Sequence, residues 1–238
     1  MRKNNYGLNY NTILATLNKH LSFLLDLIFP RGEIVDRLEN MSVVEALTTL
    51  PTCQDKSGLI PEMQDMTVVF KYRNRFVRQM IWELKYRGNK KMASLCGEIL
   101  IKTIEMILRE KNFSLPAILI PIPLSRERRH ERGFNQNELV AEQIILQNKL
   151  LNKVAGLSKN FNLLEKIRHT APQSSIKNRR ERMENLNGCF FVPHPEMVRG
   201  KNIILVDDVV TTGSTLREAR AVLLSAGARH VFAIAIAH

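Results

Sequence analysis

The run IILVDDVVTTGST, Ile203 to Thr215, decides the reading of this 238-residue chain. Four aliphatic residues predict a central buried strand, Asp207 and Asp208 stand where that strand is expected to end, and a turn rich in Thr, Gly and Ser opens a helix. Ligands of open parallel sheets bind beyond the carboxyl ends of the strands. In the turn, Gly213 permits close backbone approach. The first helical amides and the hydroxyls of Thr211, Thr212, Ser214 and Thr215 supply donors with the helix dipole behind them. That combination suits one phosphate group. The spacing is neither a Walker loop nor a G-x-G-x-x-G dinucleotide turn. Two carboxylates repel phosphate, so the acid pair suits vicinal hydroxyls or a divalent ion, and a sugar phosphate offers both. The pair is expected to face solvent in a cleft.

Outward from that run, Leu216 to Ala226 has helical spacing and stops at Gly227, and Val231 to Ala237 is a final apolar strand. Upstream, Ala117 to Ile122 is a short apolar run closed by Pro121 and Pro123, Asn135 to Gln147 is helical, and Phe190 to Val192 is a short strand. Strands alternating with helices indicate an α/β domain with a parallel sheet flanked by helices, its core beginning at about residue 112. Two earlier helices are expected, Phe76 to Leu84 with a break at Gly88, and Met92 to Leu108.

Two basic segments extend the constellation. SRERRHERGFNQNELVA, Ser125 to Ala141, carries Arg126, Arg128, Arg129 and Arg132 after a parallel strand, and is read as a loop. Four guanidinium groups there suit a diphosphate, which arginine binds bidentately. The alternative is a solvated helix start, half neutralised by Glu127 and Glu131. RHTAPQSSIKNRRERMENLNG, Arg168 to Gly188, carries Lys177, Arg179, Arg180 and Arg182, and reads either as a mobile lid or as plain surface.

The acid pair with VVTTGST closely resembles the signature of the type I phosphoribosyltransferases, which bind 5-phosphoribosyl 1-pyrophosphate (PRPP). PIPLSRERRHERGFNQNELVA, then Arg168, Thr170 and Gln173 in R-x-T-x-x-Q, then LVDDVVTTGST, are similar in order and spacing to the ComF/GntX family, and FKYRNRFVRQMIWELKYRGNKKMA resembles its upstream region. The likeness spans about Phe70 to Ala237. It implies a phosphoribosyltransferase-like fold, Asp207 and Asp208 on the ribose hydroxyls, and Val209, Val210, Thr211, Thr212, Gly213, Ser214 and Thr215 around the 5′-phosphate. It implies Arg126, Arg128, Arg129, Arg132, Lys177 and Arg179 as further substrate contacts and Mg²⁺ arriving with PRPP, with no side chain named as a metal ligand. It also implies an association with competence for DNA uptake. Two functions therefore stand side by side: phosphoribosyl transfer to an unidentified acceptor, or binding of single-stranded DNA or a competence partner without catalysis. Many members carry a four-cysteine zinc knuckle. Here Cys53 stands alone, far from Cys96 and Cys189, so no zinc and no disulfide framework is expected.

Composition agrees with a folded chain that meets polyanions. Hydrophobic residues make up 45% and charged residues 24%, and a net charge of +12 favours phosphorylated small molecules, nucleic acid or an anionic surface. No run approaches the ~20 apolar residues of a membrane span and no signal peptide is read, so a cytoplasmic location is expected. Ile13 to Ile28 has helical spacing, and 32 to 66 is mostly loop with one or two short elements. The expected division is a helical and irregular extension over 1–69 and the α/β domain over 70–238.

Overall fold

The computed structural model describes residues 32–53, 65–110, 115–152, 154–167 and 188–238. The expected helix at 13–28, and Arg168, Thr170, Gln173, Lys177, Arg179, Arg180 and Arg182, lie outside them.

Strand β6, Asn202–Val209, is the centre of the molecule, buried along all but its last residue. It pairs in parallel with β7, His230–Ala237, on one side and with β2, Ala117–Pro121, on the other. Strand β1, Met66–Phe70, extends the sheet beyond β7, and β3, Leu157–Lys159, extends it beyond β2, giving the order β1-β7-β6-β2-β3. All four pairings are parallel. The near-continuous apolar runs of β6 and β7 result from this, because both faces of a parallel sheet are covered by helices.

The pleat sorts side chains between two cores. Ile204, Val206, Phe232 and Ile234 join a core with helices α4, Lys90–Glu110, and α6, Gln136–Leu151. Helices α1, Glu33–Glu39, and α2, Val43–Thr49, add Leu38, Val43 and Ala46 to that same core. On the other face Ile203, Leu205, Val231 and Ala233 pack with α8, Ser214–Ser225, and with the antiparallel ribbon of β4, Glu165–Lys166, and β5, Phe190–Phe191. Helix α7, Pro195–Val198, leads into β6. Helices α4 and α6 meet at Gly97, where an added Cβ would lie 2.6 Å from Gln143 Cβ and 2.9 Å from its carbonyl carbon. Only a glycine permits that approach.

Helix α3, Arg75–Trp82, is capped by Asn74, whose side chain accepts from the amides of Phe76 and Val77. The helical run ends at the expected break, Gly88, but not as a plain α-helix. It passes into a π-helical turn, Glu83–Arg87, closed by Gly88 at φ +57° with the Phe134 ring where a Cβ would stand. Such turns insert one residue into a helix and are frequent at functional sites. The turn is anchored from within: the buried Glu83 carboxylate accepts from Gln79 and Asn89, and Asn89 also donates to Glu39 of α1.

Candidate functional site

Strand β6 runs through both acids instead of ending before them, with Asp207 opposite Ala235 and Val209 opposite Ala237 on β7. Both carboxylates are consequently buried, at 9% and 3% exposure, and do not face solvent as the sequence suggests. Burial of two adjacent acids is costly unless partners meet them, and the structure supplies three side chains and a backbone amide. Lys85 Nζ from the π-helical turn lies 3.2 Å from Asp208 Oδ2, and Gln136 Nε2 donates to the same oxygen at 2.8 Å. Asn137 Nδ2 donates to Asp207 Oδ1 at 3.0 Å, and the Asp208 amide donates to that oxygen as well.

Gln136 and Asn137 reach the acids because α6 begins beside the ends of β2 and β6. Asn135 caps the helix by accepting from the Asn137 amide, and both asparagine side chains donate to the Ile122 carbonyl. The Ile122 amide in turn donates to Val206, which locks this helix start to the central strand. The signal was in the sequence: three consecutive amide side chains after Gly133 and Phe134, at a helix start.

Burial, and then the neighbouring Asp208 charge, push the Asp207 carboxyl up to about 7, while Lys85 and the hydrogen bonds pull it back. Burial raises the Cys96 thiol far above its ordinary range, with the Asp208 charge adding to it. Across the site, burial holds Lys166 of β4 below the usual ammonium range, and the nearby Arg128 guanidinium lowers it further.

The arginine segment is a seven-residue helix, α5, Arg126–Arg132, and not a loop. Ser125 caps it through the Arg128 amide and Gly133 closes it at φ +75°. Its four arginines part ways. Arg129 is held in a two-pronged pair with Glu138, at 2.7 and 2.8 Å. Arg132 donates to Gln136 Oε1 at 2.8 Å and lies over the Tyr86 ring. Arg128 is half-buried near Lys166, and Arg126 is exposed. Helix α5 thus stands over the same end of the sheet as Asp208.

Beyond the acids, Val210 donates its amide to Ala237, and the chain turns through Thr211 and Thr212 to Gly213, at φ +72° the residue before α8. Thr212 and Ser214 share a hydroxyl hydrogen bond, and Arg217 Nη2 donates back to the Thr212 carbonyl at 3.2 Å. The turn is a braced hydroxyl-rich arc at a helix N-terminus, immediately after a buried acid pair. Cys96 lies within α4 while Cys53 and Cys189 lie outside the helices and strands, and no group of three or more metal-ligating side chains occurs among the described residues.

Residues 135–238, which hold the central strand, its two acids and the arc, match the family model described as phosphoribosyl transferase domain. The chain is similar over part of its length to bacterial competence and DNA utilization proteins. It is 31% identical over 152 residues to the DNA utilization protein YhgH of Salmonella typhimurium, covering 64% of this chain and 63% of that one. It is 33% identical over 154 residues to the competence protein ComFC of Bacillus subtilis, covering 65% and 56%. The chain therefore spans less than two thirds of the length of these relatives. Among solved structures, the glutamine PRPP amidotransferase from B. subtilis is 17% identical, with a TM-score of 0.37 over 64% of this chain and 30% of that one.

Proposed function

We propose that this chain binds a ribose 5-phosphate unit, as PRPP or a close relative, at the end of β6. One observation carries the reading. Among the described residues the bonds that satisfy the acid pair fall on Oδ1 of Asp207 and Oδ2 of Asp208, and an ionised carboxylate has about four acceptor positions, which leaves the second oxygen of each acid for a ribose hydroxyl. The 5′-phosphate then sits on the arc from Val209 to Thr215, against the start of α8. A diphosphate at C1 has Arg128 and Lys166 as its cations, with Arg126 at the rim; Lys177 and Arg179 remain proposed contacts from sequence.

The donor set fits a Mg²⁺ that arrives on the diphosphate, since Mg²⁺ in phosphate sites keeps several waters and takes only one or two carboxylates. Asp207 would be the carboxylate to hold it, Asp208 being paired with Lys85. When bound, the ion neutralises diphosphate charge. If the site also transfers the group, the C1–O bond to diphosphate breaks, a bond from C1 to an acceptor forms, and diphosphate leaves; the buried acids then face a cationic sugar centre, which a negative site favours. In a protein related to competence proteins this would link nucleotide-type ligands to DNA handling.

Calorimetric titration with PRPP and ribose 5-phosphate, with and without Mg²⁺, tests the reading. Asparagine is the informative replacement because it keeps the buried hydrogen bonds that alanine would remove. Saturable binding that Asp207→Asn and Asp208→Asn together abolish, in a protein whose circular dichroism is unchanged, is the expected result. Equal affinity in wild type and variant overturns it.

A further inference from the structure

Helices α1 and α2 take no part in the ribose-phosphate reading, yet the end of α1 is tied to the turn that carries Lys85. Leu38 sinks into the core shared with α3 and α4, and the Arg37 guanidinium lies 5.3 Å from the centroid of the Phe76 ring, near the start of α3. At Glu39 this packing gives way to a polar link. Asn89 Nδ2 donates to Glu39 Oε1 at 2.8 Å and to Glu83 Oε2 at 3.1 Å, so one amide group joins a carboxylate of α1 to a carboxylate of the π-helical turn.

Both carboxylates are largely out of water, with side chains 9% and 1% exposed. Lys91 Nζ lies 3.0 Å from Glu39 Oε2, while Arg87 Nε lies 3.7 Å from Glu83 Oε1, to which Gln79 also donates. Asn89 is itself fixed. Its Oδ1 accepts from the amides of Lys91 and Met92 at the start of α4, and its own amide donates to the Glu83 carbonyl. Three elements thus meet at one side chain. In a polar network this well buried, removing one member leaves others unsatisfied, so its geometry holds or fails as a unit.

The turn held in this way has Glu83 at its start, Lys85 in its middle and Arg87 at its end. Arg87 also packs its guanidinium 5.2 Å from the Trp82 centroid. Fixing residues 83 and 87 fixes the residue between them. Lys85 then reaches Asp208 Oδ2 at 3.2 Å beside the Gln136 donor, which turns the other oxygen of that acid toward a ribose hydroxyl.

We infer that α1 governs the affinity of the ribose-phosphate site, with Glu39 and Asn89 as positioning residues that act through Glu83 on the aim of Lys85 at Asp208. The inference rests on the ribose-phosphate reading and adds a control point to it. Any event that lifts α1 from the junction of α3 and α4 loosens Lys85 and weakens the ligand.

Calorimetry with ribose 5-phosphate and with PRPP reads the effect. Glu39→Ala is expected to weaken binding roughly ten-fold, within the range of coupling inside one polar network. Glu39→Gln, which keeps an acceptor for Asn89, is expected to stay near wild type. Asn89→Asp keeps the cap on α4 but sets a third carboxylate between the other two. It is expected to lose at least as much as Glu39→Ala, and the double variant no more than Asn89→Asp alone, because both changes cut the same link. Val43→Ala thins the packing of α2 instead, and is expected to melt earlier yet bind as wild type well below its melting temperature. Equal weakening by Glu39→Ala and Val43→Ala overturns the inference, as do losses that multiply in the double variant. If wild type binds neither ligand, the ribose-phosphate reading falls and the control of affinity with it. The link is then judged without ligand by the emission of Trp82, the only tryptophan and the residue before the turn. Glu39→Ala is expected to shift that emission and Val43→Ala to leave it alone; an unmoved emission in Glu39→Ala overturns the link as well.

Discussion

Lys85 and Asp208 meet at 3.2 Å, so the second acid of the motif is neutralised by a residue from an element that the motif does not contain. Lys85 comes from the π-helical turn after α3, and Asp208 from the central strand. The acid pair therefore rests on the upstream helices as much as on its own strand. Removing the cation leaves a buried carboxylate with only Gln136 on that oxygen. Lys85→Met is expected to destabilise the fold by about 3 kcal/mol, the low end of the range for breaking a buried pair, because Lys85 keeps some solvent contact. Urea unfolding of wild type, Lys85→Met, Asp208→Asn and the double variant measures the coupling. A double-variant cycle with no interaction energy would show that the pair contributes nothing.

The raised Asp207 carboxyl sets a pH dependence with a definite sign. Its folded value of about 7 lies above the ordinary 3.8, so between those values the folded state holds more protons than the unfolded one. Stability from this group is full at low pH and declines as pH rises toward about 7. Asp207→Asn removes the decline. The variant is expected to gain on wild type between pH 5 and pH 8 by an amount on the order of 1 kcal/mol or more. Parallel stability curves over that window would remove the raised value.

Gly97→Ala places a methyl group 2.6 Å from Gln143 Cβ, with backbone close behind it. The clash falls between two long helices and has no flexible side-chain end to absorb it. We expect a loss of about 1–3 kcal/mol, the usual penalty of overpacking, read from chemical denaturation. A neutral result would mean that α4 and α6 separate easily.

Gly213 is the residue before α8 at φ +72°. Alanine there adds about 1–2 kcal/mol of backbone strain and displaces the hydroxyl arc. Gly213→Ala is expected to weaken ribose 5-phosphate binding at least ten-fold, more than the modest drop in melting temperature alone accounts for. Calorimetry beside a thermal melt separates the two effects.

The central strand, its turn and the helix after it were legible because each obeys one strong local rule: an aliphatic run, a hydroxyl-rich turn, a helical period. The strand's continuation through Asp207 and Asp208 was not, since acids ordinarily end a buried strand and only tertiary partners keep them inside. Met66–Phe70 and Leu157–Lys159 were missed as edge strands too short to show a period. Helix α5 carried its own stop signs, Ser125 before it and Gly133 after it, which its charge obscured. Lys85, Gln136, Asn137 and Lys166 belong to the site through contacts between elements distant in sequence. No local pattern marks such residues. Trp82 read as part of an amphipathic helix and Tyr86 as part of the break after it, and only the structure set Arg132 over the Tyr86 ring.

The five-residue π-helical turn at Glu83–Arg87 makes this architecture sensitive to chain length at one place. Each residue of an α-helix turns by about 100°, so the extra residue in the turn re-aims the side chains downstream of it by about a quarter rotation. Lys85 points at Asp208 because of that phase shift. Deleting one residue from the turn would let α3 run on as an ordinary helix, swinging the ammonium off the acid and Tyr86 off Arg132 at once. A deletion that leaves every motif residue in place would thereby undo two contacts at once, whereas a substitution of Lys85 or of Tyr86 undoes one.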